Sequence, residues 1–317
     1  MKIVITGSGA LGCRFGAAFA DAGMDIWLHD VWEEHINVIK NSGLLIYNGI
    51  GNRRTFNTNA VTNISKAPQA DILMICTKAM MTGNAAAGAR PVVNEKTVIL
   101  TMQNGLNNIE KIANEYPDNP IIAGVTYYTG DLIGPGEVVL KSNGFTRLMA
   151  LSEQGRNTAE TLVRSLQETG HNAEISEDIF KDIWEKAAFN AALDTVTALT
   201  GLTIGAAGSM PQSRSLLFSI ASEVVTVAHM EGINACEAHV YNMIENIFDP
   251  LISGSYKILM LRDRITKRPT EICELCGQII EIAKKHGEKV PYNQAVYTLM
   301  CLVENNYNID EMYLDWD

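Results

Sequence analysis

The chain opens Met1-Lys-Ile-Val-Ile-Thr-Gly7-Ser-Gly9-Ala-Leu-Gly12 and, after a run of small residues, continues Asp25-Ile-Trp-Leu-His-Asp30. The apolar residues 3–5 predict a strand, and Gly7, Gly9 and Gly12 fill the glycine positions of a G-x-G-x-x-G turn. Gly16, Ala17, Ala18 and Ala20 suit a helix packed close to a sheet. Each glycine of the turn answers a separate need. The first permits the tight bend, the second lets backbone N–H groups approach a pyrophosphate, and the third brings helix onto strand. The helix N-terminus turns a partial positive charge toward the phosphates. Glycine-rich turns are common, but this one follows a strand and opens a helix. About twenty residues later comes an acid, Asp30, at the end of a second strand. That context predicts a dinucleotide site, with Ala10 and Leu11 inside the turn.

Outward from this unit, strand and helix alternate. Apolar runs at 72–76 and 98–101 read as strands that lead into Thr77-Lys78 and Gln103-Asn104-Gly105. The alternation implies a parallel sheet, in which ligands sit beyond the carboxyl ends of the strands, so Lys78 and Asn104 point toward the same crevice as the glycine turn. Taken alone, Lys78 reads equally as a solvated loop lysine and Asn104-Gly105 as a plain turn. Shorter strands with turn punctuation, including Gly134-Pro135-Gly136, fill 121–151, and a helix covers 158–168. After residue 176 strand signals stop, and helical patterns occupy roughly 178–200, 211–231, 235–248, 270–286 and 291–306. The predicted organisation is an α/β fold of two domains. A Rossmann-type parallel-sheet domain takes residues 1–176, and an all-helical domain takes 177–317.

The first helix of that second domain carries Lys186, Asn190 and Asp194 at i, i+4 and i+8, hence on one face. The stripe is either solvated or buried with its polar groups satisfied by one another or by a ligand. Ala187, Ala188, Ala191 and Ala192 leave room for a close approach to this helix. Farther on, Thr270 can serve as a helix cap with Glu271 in the first turn, where a carboxylate suits the helix dipole.

Composition excludes several classes. At 317 residues the chain can bury a large core without staples, and 36 acidic against 25 basic residues give a net charge of −11, which repels nucleic acid and anionic membrane. The N-terminus begins a strand at once, and no apolar run is long enough for a span, so the expected compartment is the cytoplasm. Six cysteines in mostly apolar settings read as reduced core thiols, Cys273-Glu-Leu-Cys276 included, and neither they nor the six histidines show metal-ligand spacing.

Together, the glycine turn, Thr77-Lys78, Gln103-Asn104-Gly105, Gly134-Pro135-Gly136, Trp184-x-Lys186-x-x-x-Asn190 and Arg268-Pro269-Thr270-Glu271 resemble the ketopantoate reductase (2-dehydropantoate 2-reductase) family. The resemblance runs nearly end to end. It implies a Rossmann domain followed by a helical domain of the 6-phosphogluconate dehydrogenase type, a small 2-oxo acid substrate held between them, and a homodimer. It also implies Lys186 as general acid, Glu271 beside it, and Asn104 in contact with both nicotinamide and substrate. Asn190 would hold the substrate, and Lys78 and Gly130 would lie by the cofactor.

Two departures from the family pattern carry expectations of their own. Members that use NADPH usually have a basic residue just after the second strand, whereas Asp30 would accept hydrogen bonds from ribose hydroxyls and repel a 2′-phosphate, so NAD(H) is the expected cofactor. The pattern also places asparagine where Asp194 stands, often asparagine where Ile204 stands, and serine where Leu259 stands. A charged Asp194 near an anionic 2-oxo acid is repulsive by about 4 kcal/mol at 4 Å with an effective dielectric of 20. Ile204 and Leu259 suggest a branched or apolar substrate side chain. The expected activity is NADH-dependent reduction of a 2-oxo acid to a D-2-hydroxy acid. The alternatives are a D-mandelate-type dehydrogenase for a bulkier substrate, and a non-catalytic dinucleotide sensor.

Overall fold

The computed structural model describes residues 1–48, 51–141, 144–249 and 258–308. The chain divides into two compact units, 1–179 and 180–317. The first unit runs β1 (Lys2–Thr6), α1 (Ala10–Asp21), β2 (Asp25–His29), α2 (Glu33–Ser42), β3 (Leu44–Tyr47), β4 (Arg53–Phe56), β5 (Asn59–Val61), β6 (Ile72–Ile75) and α3 (Thr82–Gly88). It continues with β7 (Val98–Thr101), α4 (Asn108–Glu115), β8 (Ile121–Thr126), β9 (Gly130–Gly134), β10 (Glu137–Leu140), β11 (Thr146–Ala150), α5 (Arg156–Glu168) and β12 (Ala173–Ile175).

Eight of these strands form one sheet in the order β12-β11-β8-β7-β6-β1-β2-β5. Pairing is parallel throughout except where β11 meets β8 antiparallel, so the sheet is mixed at that end rather than parallel across its whole width. Its central strands are covered on both faces, which is why they read as unbroken apolar runs. Ile3 and Ile5 join a core with Phe15 and Phe19 of α1, while Val4 between them joins a second core with Ala86 of α3 and Ile112 of α4. A second sheet, β4-β3-β10-β9, takes in β10, one of the short strands expected over 121–151, and brings it beside β3 and β4, which the sequence reading did not place. Its strands are four or five residues long, and β3 and β10 pair in parallel across some ninety positions. Its other pairings, β9 with β10 and β3 with β4, are antiparallel and join neighbours in the chain, so the long-range β3–β10 pair is what makes the four strands one sheet.

The second unit is helical among its described residues. It contains α6 (Ile179–Thr200), α7 (Ile204–Gly208), α8 (Pro211–Met230), α9 (Glu237–Ile247), α10 (Leu259–Ile265), α11 (Gln278–Lys285) and α12 (Pro291–Asn305). The helix expected from residue 270 begins instead as a π-helical turn, Cys273–Gly277, which leads into α11. Ala187, Ala188, Ala191 and Ala192 of α6 are all buried, so the space beside these small side chains is filled by packing of the protein itself. Ile204, expected to shape the substrate site, is 2% exposed and belongs to the core. Its position at the start of α7 explains an apolar residue there without any ligand. Among the described residues no helix is long and apolar enough to cross a membrane.

Candidate active site

In the first unit the predicted cofactor residues gather at the carboxyl ends of β7, β6, β1 and β2, which are neighbours in that order. Connections leave β1 in one direction toward β2, while β6 and β7 lie on its other side, so the glycine turn stands at the point where strand order reverses. Gly7 has φ +91°, and a Cβ added there would lie 2.6 Å from the Thr77 backbone nitrogen. A Cβ on Gly12 would lie 2.2 Å from the Gly7 carbonyl oxygen. Gly9 differs, because nothing lies within 4 Å of its would-be Cβ. It caps α1 without a side chain that could occupy the N–H groups of the first turn, where Ala10, Leu11 and Gly12 stand. The turn is therefore closed on its protein side and open on the other, and it fits a pyrophosphate. Replacing Gly12 with alanine is expected to weaken NADH binding by about tenfold or more, measured by calorimetry. An unchanged Kd would mean that the turn accommodates a methyl group.

Asp30 follows β2 directly and is held by backbone donors. Its Oδ2 accepts the Ser8 N–H at 2.9 Å and its Oδ1 accepts the Trp32 N–H at 3.1 Å. Ser8 is tied down further, its hydroxyl donating to the His29 carbonyl at 3.1 Å. Behind this loop sits a fully buried residue that the sequence reading passed over, His35. Its Nδ1 accepts the Gly136 N–H at 2.9 Å, and its ring stacks on Trp32 with centroids 5.1 Å apart. Burial lowers its pKa against the pull of Asp30, which agrees with a neutral ring whose Nδ1 accepts. The Gly134-Pro135-Gly136 motif thus serves the fold: Gly136, at φ +71°, brings its N–H to His35.

Gln103 is the other residue that gains a role. Its side-chain amide donates to the Thr77 carbonyl at 2.7 Å and to the Thr82 hydroxyl at 2.8 Å, joining the loop after β7 to the loop after β6. Thr82 donates in turn to Asn108 at 2.8 Å, and Asn108 donates to the Asn104 carbonyl at 2.6 Å. Asn104 is set by this chain of bonds. Lys78 is exposed in the loop after β6. Gly130 opens β9, and a Cβ added there would come within 3.8 Å of the Ala10 Cβ, which places its backbone against the glycine turn.

In the second unit α6 carries the polar stripe through a buried setting. Lys186 and Asn190 are each 9% exposed, and Asp194 two turns on is partly exposed. Burial pushes the Lys186 ammonium down to about 8, while Asp194 and Glu271 work to keep its proton on. Burial pushes the Asp194 carboxyl up to about 8, with Glu271 and Asp263 adding to the rise and Lys186 opposing it. Lys186, Asp194 and Glu271 are thus one electrostatic cluster. Glu185, next to the stripe and 1% exposed, is structural: it accepts the Cys236 N–H at 2.8 Å and bonds His239 Nδ1 at 2.6 Å, capping α9. Thr270 acts as the expected cap, its hydroxyl accepting the Ile272 N–H at 3.3 Å, and it is held further by α12. Its N–H donates to Glu304 on α12 at 2.8 Å, its hydroxyl bonds the same carboxylate oxygen, and Glu271 follows immediately. Leu259 opens α10 at 47% exposure. Cys276 is buried and Cys273 exposed.

A Rossmann-type unit with a phosphate cradle, followed by a helical unit with a buried lysine, defines the class: a dinucleotide-dependent oxidoreductase. The chain belongs to the ketopantoate reductase family. Residues 3–153 match the family profile described as ketopantoate reductase PanE/ApbA, and residues 178–304 match its C-terminal counterpart. The chain is 31% identical over 294 residues to the 2-dehydropantoate 2-reductase of Lactococcus lactis subsp. lactis, covering 92% of this chain and 94% of that protein. It is 31% identical over 301 residues to the enzyme of the same name from Pyrococcus horikoshii, covering 95% and 96%. Among solved structures it is similar to a D-mandelate dehydrogenase in ternary complex with NADH and anilino(oxo)acetate. The TM-score there is 0.91 at 29% identity, with 97% of this chain and all of that one covered.

Proposed function

We propose that the protein reduces a 2-oxo acid to a D-2-hydroxy acid with NADH, residues 1–176 serving the cofactor and 177–317 the substrate. The observation that carries this reading is the buried Lys186, whose ammonium loses its proton near pH 8 rather than in the ordinary lysine range. A general acid works best with a pKa near the operating pH. Reduction of a ketone leaves negative charge on its oxygen, and an ammonium hydrogen-bonded to that oxygen stabilises the charge and then delivers the proton. Glu271 and Asp194 favour the charged form of Lys186 and so keep it loaded. Asn190 holds the substrate, Asp194 and Leu259 line its remainder, and Asn104 orients it. When bound, the reduced nicotinamide supplies hydride to the ketone carbon. Gly7, Gly9, Ala10, Leu11, Gly12, Lys78 and Gly130 hold the dinucleotide, and Asp30 accepts from ribose hydroxyls and disfavours a 2′-phosphate.

The substrate is bulkier or more apolar than ketopantoate. Supporting this are the exposed Leu259 at the start of α10 and the similarity to a D-mandelate dehydrogenase. A panel of 2-oxo acids run with NADH and with NADPH tests the whole reading: phenylglyoxylate, a branched aliphatic 2-oxo acid and ketopantoate. Turnover of at least one with NADH is expected, with the highest kcat/KM on an aromatic or branched acid. A preference for ketopantoate would remove the inference about bulk. No turnover of any carbonyl, combined with tight NADH binding, would favour a dinucleotide sensor.

A further inference from the structure

Beneath the glycine turn a row of buried polar groups runs from the second sheet to Asp30. Cys13 of α1 and His35 of α2 are both 0% exposed, and so is Ser8, the residue between Gly7 and Gly9. The Gly136 N–H, from the turn between β9 and β10, donates to His35 Nδ1 at 2.9 Å. A backbone N–H can only donate, so Nδ1 carries no proton, and the proton of the neutral ring is on Nε2. Nε2 faces the Cys13 Sγ at 3.6 Å, and that thiol donates to the Ser8 carbonyl at 3.0 Å. The directions agree along the row: Gly136 into His35, His35 into Cys13, Cys13 into Ser8. Ser8 then donates its own N–H to Asp30 Oδ2 at 2.9 Å and its hydroxyl to the His29 carbonyl at 3.1 Å. Burial pushes the Cys13 thiol far up, with the Asp30 charge adding to the rise, so the thiol remains a donor throughout the neutral range.

What this row fixes is one peptide plane. In a trans peptide the C=O and N–H groups point in opposite directions. The Ser8 carbonyl points at the Cys13 thiol, so the Gly9 N–H of the same plane points away from it. Gly9 is also the glycine whose would-be Cβ meets nothing within 4 Å. We propose that His35 and Cys13 are positioning residues for the dinucleotide. The ring holds the thiol and the thiol holds the Ser8 carbonyl. The Ser8–Gly9 peptide thereby keeps its N–H turned toward the pyrophosphate, while the Ser8 N–H keeps Asp30 in place beside the ribose. This rests on the reading of the turn as the NADH site. Both side chains are fully buried, so they act only through Ser8.

The test is calorimetry of NADH binding to the full chain and to four variants: Cys13→Ala, Cys13→Ser, His35→Asn and the double variant Cys13→Ala with His35→Asn. Serine keeps a hydroxyl donor for the Ser8 carbonyl, and asparagine keeps an acceptor for the Gly136 N–H while losing the Nε2 donor. Cys13→Ala is expected to raise the Kd for NADH about tenfold and His35→Asn about threefold or more, whereas Cys13→Ser should stay within about twofold of the wild type. Once the thiol is gone the ring has nothing to orient. Adding His35→Asn to Cys13→Ala should therefore raise Kd by less than about twofold further, a coupling that independent losses of packing would not show. A thermal melt without NADH checks that each variant is folded. If Cys13→Ala does not fold, the contrast between His35→Asn and Cys13→Ser decides. Additive effects, a serine variant as weak as the alanine variant, or wild-type affinity in His35→Asn each overturn the proposal while leaving the NADH site intact. A wild-type chain that does not bind NADH overturns both.

Discussion

Lys186→Ala is expected to lower kcat by a factor of about 10² to 10⁴ while leaving the Kd for NADH unchanged. Without the ammonium the forming alkoxide has no donor at its oxygen and no proton to collect. The residues of the glycine turn and Asp30 are untouched by the change, so cofactor affinity serves as the control for folding. Stopped-flow measurement of NADH oxidation in a single turnover separates the chemical step from product release. The wild type should also lose kcat as pH rises through about 8, because the acid must be protonated and burial has lowered its pKa to that range. The alanine variant should lack this limb. Near-normal kcat in the variant would remove Lys186 from its assigned role, and the proton would then have to come from another group or from water.

The second large effect concerns the cofactor. Asp30→Asn is expected to lower the ratio of kcat/KM for NADH over NADPH by about tenfold to a hundredfold. Two unit charges 4 Å apart repel by about 4 kcal/mol at an effective dielectric of 20, and partial exposure with salt screening reduces that figure. Asparagine retains one of the two oxygens that now accept the Ser8 and Trp32 N–H groups, so the turn should survive. Most of the change should appear as a gain with NADPH, since what is removed is a repulsion. A ratio that stays constant, or a wild type that already prefers NADPH, would show that Asp30 does not choose between the cofactors.

Much of the molecule was legible before its coordinates. The glycine turn, the strand pairs around it and the change of class after residue 176 follow from local signals: apolar runs, small-residue helices and turn glycines. The second sheet was not legible as a sheet, because the β3–β10 pairing that joins its two halves links segments some ninety positions apart. The stripe on α6 was seen as a pattern, but its periodicity left open whether it faced water or protein. Burial of Lys186 answered that, and the same burial reassigned Ile204 and the alanines beside the stripe to the core. Gln103 stood within a quoted motif without a role of its own, since the threonines it joins lie more than twenty residues away. His35 gave no signal beyond an apolar helix face, and its partner Gly136 lies a hundred residues on.

The sequence by itself determined the class of the protein. Three glycines spaced between an apolar strand and a small-residue helix, an acid about twenty residues later, and a lysine one helical turn before an asparagine each state a local requirement that few other residues meet. Only the tertiary structure decided what those residues are chemically. Burial holds the Lys186 ammonium down to about 8 and pushes the Asp194 carboxyl up, although both residue types are ordinarily charged at neutral pH. Proton affinity is a property of surroundings assembled from separate parts of the chain, and no spacing along the sequence encodes it.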